Sequence, residues 1–291
     1  MANVIKIKKG LDINLKGKAS DVLLNGGKSD SYAIVPDYYN GIVPKVVAKV
    51  GEKVKAGSVL MIDKNRPEIK FVSPVSGEVT AVNRGEKRKV LSVVVKPEAQ
   101  IEYEDFGKKN VASLKREEVK EAILHAGMWP FIKQRPYDIV ASPVDEPRDI
   151  FVSAFYSAPL APNFDFVVKG QEVDFQTGLD ALAKLTDGKV YVGIRKGSSV
   201  SVKGVETVEV EGPHPAANVG VQINHIKPIN KGEVVWTVNP ADVIVIGRLF
   251  NKGIADFSRL VVITGSETTE RGYVKAIAGC TIASLVDGKI M

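Results

Sequence analysis

Val50-Gly-Glu-Lys-Val-Lys-Ala-Gly-Ser-Val-Leu60 and Ser73-Pro-Val-Ser-Gly-Glu-Val79 decide how the first third of this chain is read. Both units turn on glycine (Gly51, Gly57, Gly77), the residue that takes the positive φ of a tight turn at little steric cost. Between the turns, from Val50 to Val82, valine and isoleucine alternate with polar side chains, the period of half-buried strands. The pattern predicts a small, glycine-punctuated β module over residues 42–97.

Two such units facing each other resemble a barrel-sandwich hybrid, the β fold of biotinyl and lipoyl carrier domains. A carrier holds its modified lysine on the hairpin between the two units. Here that tip reads Ile62-Asp-Lys64-Asn-Arg-Pro67-Glu68. It has no Met-Lys-Met triplet, Lys64 stands too early, and Pro67 gives the turn its own shape. Lys64 is therefore read as an ordinary solvated lysine, with no covalently bound cofactor. The module is read as a structural piece that anchors an N-terminal arm and packs against the rest of the chain.

Outward from the module, the bulk properties are ordinary. At 291 residues, with 44% hydrophobic and 25% charged side chains, the chain can bury the cores of two domains. No apolar run approaches the roughly 18 residues that span a bilayer. The start, MANVIKIKKGLDI, has no apolar leader segment, so a cytoplasmic location is the default expectation. A single cysteine, Cys280, excludes an internal disulfide and an iron–sulfur cluster held by this chain alone, which needs about four ligands. Three scattered histidines argue against a structural zinc. The net charge of +6 gathers partly in the first 28 residues and partly in Arg84-Gly-Glu-Lys-Arg-Lys89. Such clusters are solvated surface, or they face an acidic protein or an anionic membrane. No aromatic-basic interleaving and no helix-turn-helix pattern points to nucleic acid.

Three segments are expected. Residues 1–104 form the arm and the β module. Residues 105–254 alternate strand and helix, as in a Rossmann-like α/β domain with a mainly parallel sheet. Residues 255–291 are short β segments. Within the α/β part, Leu114–His125 reads as a helix with Ser113 as its cap and Gly127 as its stop, and Asn239-Pro240 opens another. Trp129-Pro-Phe-Ile-Lys-Gln-Arg-Pro-Tyr137 reads as a rigid aromatic and basic loop.

Four places could carry chemistry. The chain has neither Gly-x-Gly-x-x-Gly nor a P-loop. Gly193-Ile-Arg-Lys-Gly197-Ser could hold a phosphate, but fits a plain turn better. His214 stands between two prolines, and with Pro215 it is either a structural elbow or a partner-facing group. His225 could be a packed core histidine. Trp129, Phe131, Lys133 and Arg135 combine aromatic faces with cations, which suits a flat, partly polar ring such as a quinone head group. The Tyr38–Tyr39 turn is a second contact for such a ring. Serine, histidine and carboxylates show no spacing of a nucleophilic triad.

Several of these stretches carry a resemblance: Ile5-Lys-Ile-Lys-Lys-Gly-Leu-Asp12, Ser73–Val79, Trp129-Pro-Phe with Arg135-Pro136, Ile150-Phe-Val-Ser-Ala-Phe155 with Pro159–Pro162, Gly212-Pro-His-Pro-Ala216, and Val235-Trp-Thr-Val with Asp242–Gly247. In order and along nearly the whole chain, they resemble the NqrA family, one of the subunits of the bacterial Na+-translocating NADH:quinone reductases. The resemblance implies a peripheral subunit on the cytoplasmic side of the inner membrane. It would contact the membrane subunits B and C of that oxidoreductase, and the membrane surface as well. It also implies quinone (ubiquinone or menaquinone) as substrate, with flavins and iron–sulfur clusters on partner subunits. The implied fold is similar to the flavin-binding subunit of respiratory complex I with its cofactor sites lost. A β-grasp domain and a helical region are expected beyond residue 291. Two alternatives are a scaffold that binds no small molecule and a redox enzyme binding a nucleotide in the α/β domain.

Overall fold

The structure is a computed structural model that describes residues 3–291. Its β module is a sandwich of two antiparallel sheets. One orders Tyr32–Ile34, Val90–Pro97, Gly77–Arg84 and Lys53–Val54; the other orders Pro44–Val46, Val59–Asp63 and Lys70–Val72. The alternating valines meet between the sheets, where Val54, Leu60, Val75, Val79, Val93 and Val95 form one apolar cluster. Gly77 is obligatory there: its φ is +154°, and a Cβ would stand 1.9 Å from the Lys96 carbonyl oxygen.

The hairpin tip is pinned by side-chain hydrogen bonds. Asp63 is wholly buried and accepts from Arg66 Nε at 2.8 Å and from the Val43 N–H at 3.0 Å. Arg66 also reaches across to the α/β domain, donating to the Val140 carbonyl at 3.1 Å, and within its own module to the Gly41 carbonyl at 2.9 Å. Lys64 points to solvent.

The α/β domain is built on a seven-stranded sheet. Its order is Asn3–Lys6, Glu206–Glu211, Val190–Arg195, Ile150–Ser153, Val235–Val238, Ile132–Arg135, Ile139–Val140. The first five strands are parallel; Ile132–Arg135 runs against them, and Ile139–Val140 pairs antiparallel with it. The helices Glu172–Lys184 and Pro240–Lys252 pack with their backbones close together. A Cβ on Gly178 would lie 2.1 Å from the Val243 carbonyl oxygen, and one on Gly247 would lie 1.7 Å from that of Asp174.

Several expectations are corrected. The N-terminal arm is not anchored by the β module alone. Its Asn3–Lys6 stretch pairs with Glu206–Glu211 as the edge strand of the α/β sheet, so the arm belongs in space to the α/β domain. It then crosses the C-terminal hairpin of Ser258–Ile263 and Gly272–Ile277, with Leu24 N–H donating to Tyr273 O at 2.7 Å. Ser113 caps no α-helix: the helix Arg116–His125 starts after Lys115, whose N–H donates to the Glu118 carboxylate at 2.8 Å. His225 is exposed rather than core.

Trp129–Tyr137 is also not a loop. A short turn, Trp129–Phe131, leads straight into the strand Ile132–Arg135. Trp129 is therefore core: it is 0% exposed, its Nε1 donates to Ala141 O at 2.8 Å, and its ring meets Trp236 edge to face at 5.4 Å.

Candidate functional site

Where the β module, the α/β domain and the C-terminal hairpin meet, they leave a cavity of about 320 Å³. The β module contributes Tyr38 and Tyr39 from the turn after its first strand, and Phe71 from Lys70–Val72. The α/β domain contributes Phe131 and Lys133 from the strand-opening segment, and Asp242 from the first turn of helix Pro240–Lys252. The C-terminal hairpin contributes Phe257 and Arg259. The walls are aromatic. Tyr39 packs edge-on to Phe71 at 4.8 Å, and Phe131 edge-on to Phe257 at 6.0 Å. Tyr38 is 78% exposed at the rim.

Three charges stand among these rings. Arg259 donates to Asp242 at 3.0 Å and lies 5.9 Å from the centroid of Phe131. Lys133 Nζ lies 5.1 Å from the centroid of Tyr39. Lys133 Nζ and Arg259 Nε are both closed off from solvent and have no hydrogen-bond acceptor. A buried donor without a partner carries its full desolvation penalty, so a ligand bearing acceptors is the natural complement of this wall.

Burial also moves the acid–base properties. It pushes the Tyr39 hydroxyl up to about 12, helped by the charge of Asp242 and opposed by Arg259. It lowers the Lys133 ammonium, against the attraction of Asp138 and Asp242. It raises the Asp242 carboxyl, against Arg259 and Lys133. At neutral pH Tyr39 is therefore a neutral hydroxyl. The cavity offers hydrogen-bond donors and apolar faces, and no nucleophile beside a base.

The structure thus brings together Tyr38, Tyr39, Phe131 and Lys133, and separates them from the other expected residues. Trp129 lies behind the wall, in the core. Arg135 faces a neighbouring crevice of about 620 Å³, which Phe131, Lys133 and Asp242 divide from the first cavity. His214 and Pro215 are elsewhere, holding the arm: the His214 N–H donates to Asp12 at 2.8 Å, its carbonyl accepts from the Leu11 N–H at 2.9 Å, and its ring Nδ1 lies 3.1 Å from Ser157 Oγ. Gly193–Gly197 ends a strand in a plain turn, with Gly197 at φ +80°. Asp242, Phe257 and Arg259 complete the site without being marked by sequence reasoning. A signal for Asp242 exists, because it is the one carboxylate in a helix that is otherwise nearly all apolar.

Among the described residues no cluster of three or more metal-ligating side chains occurs, and no helix is long and apolar enough to cross a membrane.

A barrel-sandwich hybrid with a pinned hairpin tip, joined to an α/β domain with an aromatic cavity at the junction, defines the class of protein. Two family models match it in succession: the NqrA N-terminal barrel-sandwich hybrid domain over residues 5–98, and the NqrA second alpha/beta domain over 114–255. The chain belongs to the NqrA family. Relatives include the NqrA subunit of the Na(+)-translocating NADH-quinone reductase of Neisseria meningitidis serogroup A, 35% identical over 99% of this chain and 66% of the relative. The corresponding subunits of Hahella chejuensis (36% identity, 99% and 65%) and Vibrio atlanticus (36%, 99% and 66%) are similar. The chain spans about 66% of the length of these relatives. Among solved structures, an NAD+-reducing [NiFe]-hydrogenase is a remote neighbour, with a TM-score of 0.41 and 12% identity over 60% of this chain and 39% of that one. That likeness is too distant to argue from.

Proposed function

We propose that the chain serves as a peripheral subunit of a Na+-translocating NADH:quinone reductase, and that the junction cavity takes a quinone ring. The observation that carries this reading is the pair of unpartnered donors, Lys133 Nζ and Arg259 Nε, set among the rings of Tyr39, Phe71, Phe131 and Phe257. A quinone is a flat apolar ring with carbonyl acceptors. Its faces suit the aromatic walls, and its carbonyls suit the two donors. The quinone reductase activity for which the relatives are named supports the choice of ligand class.

In this reading the chain holds and orients the ring, and electrons arrive through flavins and iron–sulfur centres on other subunits. Its α/β domain is a relative of the flavin-binding subunit of complex I that carries no cofactor of its own. Subunits B and C are the partners, met on the cytoplasmic side of the membrane, and the chain contributes to assembly of the complex. The exposed basic tip Arg84–Lys89 would face acidic partner surface or lipid head groups.

Titration of the purified chain with short-tail ubiquinone and menaquinone analogues, followed by calorimetry, tests the proposal. Saturable binding supports it. A flat isotherm with both would leave the chain a scaffold.

A further inference from the structure

The crevice that takes Arg135 lies at the topological switch point of the sheet. Strand Ile150–Ser153 is flanked on one side by the later strand Val190–Arg195 and on the other by Val235–Val238. In open α/β sheets ligands bind outside the carboxyl ends of the strands where the order reverses. Ser153 and Val238, the ends of the two strands that part there, line this crevice.

Its lining carries two cations, Lys133 and Arg135, and two carboxylates, Asp138 and Asp242. Lys133 and Arg135 alternate along one strand, so both project to the same face. Lys133 Nζ and Arg135 Nε are each shut off from solvent without a hydrogen-bond acceptor. Arg135 Nε forms an ion pair with Asp138 Oδ1 at 3.3 Å, without hydrogen-bond geometry. Asp242, the other carboxyl in the wall, is engaged by Arg259.

The helix Val219–Ile226 opens onto the same space. Its Asn218 makes no side-chain cap bond, whereas Asn239 caps the Ala241 N–H of the neighbouring helix at 3.0 Å. A Cβ placed on Gly220 would meet nothing within 4 Å, so the backbone there is open to close approach.

We infer that this crevice is a second binding site, for a small molecule carrying a phosphate or carboxylate group. The oxyanion would accept from Arg135, Lys133 and the first-turn N–H groups of helix Val219–Ile226. Charge-assisted hydrogen bonds to a guanidinium are about twice as strong as neutral ones, and helix N-termini add to them. The site shares Lys133, on the dividing wall, with the quinone reading; it differs in cavity and ligand chemistry, and Arg135 and Gly220, which do not line the quinone cavity, carry its test.

Calorimetric titration of the whole chain with inorganic phosphate and, in parallel, AMP at low ionic strength tests this, with sodium chloride at equal ionic strength as the blank. Saturable binding is expected, weakened about tenfold by Arg135→Gln and weakened by Gly220→Ala, which fills open space and leaves the fold intact. Lys87→Gln, on the exposed basic tip, should leave it unchanged. AMP binding more tightly than phosphate would identify a nucleotide as the source; equal affinities would identify a bare oxyanion. Absence of saturable binding by either probe, or equal loss in Lys87→Gln, overturns the inference.

Discussion

The Nζ of Lys133 stands 5.1 Å from the centroid of the Tyr39 ring, across the junction between the α/β domain and the β module. The ammonium has no acceptor there, and its burial lowers its proton affinity. In the proposed reading this ammonium, which has no hydrogen-bond acceptor, is used toward a ligand rather than to hold the fold together. Lys133→Met keeps the stem and removes the charge. Thermal denaturation should show a Tm equal to or above that of the parent, while the affinity for a quinone analogue falls about tenfold, the worth of one hydrogen bond from a charged donor. A lower Tm with unchanged affinity would place Lys133 in the structural framework instead.

Arg66 ties the hairpin tip to the rest of the molecule. Its removal leaves the Asp63 carboxylate, 1% exposed, without its cation. Arg66→Ala should destabilise the protein by about 3 kcal/mol, as when one partner of a buried pair is lost. Urea denaturation measures this. A change below about 0.5 kcal/mol, the range of an ordinary surface substitution, would mean that the tip is not held by this pair.

Asp149 gives an acid-sensitive contact inside the α/β domain. Its side chain is 0% exposed and pairs with Arg148 and Lys227, each at 2.7 Å. Burial works to raise its pKa; the hydrogen bonds from Lys227, the Lys189 N–H and Arg148 outweigh it and hold the group below its ordinary 3.8. A depressed carboxyl contributes stability that is complete above the unfolded value and lost as pH falls through the folded one. Thermal melts from neutral pH downward should therefore fall more steeply below 3.8 for the parent than for Asp149→Asn. Parallel curves would mean that Asp149 plays no part in acid unfolding.

The arm is held by backbone contact. Gly17 has φ +95°, its carbonyl accepts from the Gly265 N–H at 2.9 Å, and a Cβ would stand 2.2 Å from Gly265. Gly17→Ala should lift the arm locally while the two cores stay intact. Limited proteolysis should then cut within residues 8–28 at least several times faster, with circular dichroism unchanged. Equal cleavage rates would show that the arm does not depend on this crossing.

Much of the β module was legible, because glycine turns and period-two valines are local signals and the sandwich merely brings them face to face. The order of helices and strands in the α/β domain was legible for the same reason. The arm's place in the α/β sheet was not, since Asn3–Lys6 finds its partner Glu206–Glu211 some two hundred residues later and no local pattern encodes that pairing. In the site, Phe131 with Lys133, and separately the two tyrosines, stood out as local clusters of aromatic or basic residues. Trp129 stood out equally and is core. The turn before the strand aims it inward at Trp236, and residue type alone does not show that direction. Arg135 was grouped with Lys133 by proximity, but the dividing wall gives it to the next crevice. Asp242, Phe257 and Arg259 arrive from elements more than a hundred residues downstream, so only the assembled junction brings them to the cavity.

Quinone binding at the junction cavity is tested most directly by the equilibrium affinity of a short-tail ubiquinone analogue for the parent chain, Phe131→Ala and Lys133→Met, measured by calorimetry on variants with confirmed melts. One saturable site is expected in the parent, with a loss of about tenfold or more in each variant. Saturable binding with the same affinity in all three proteins would contradict it.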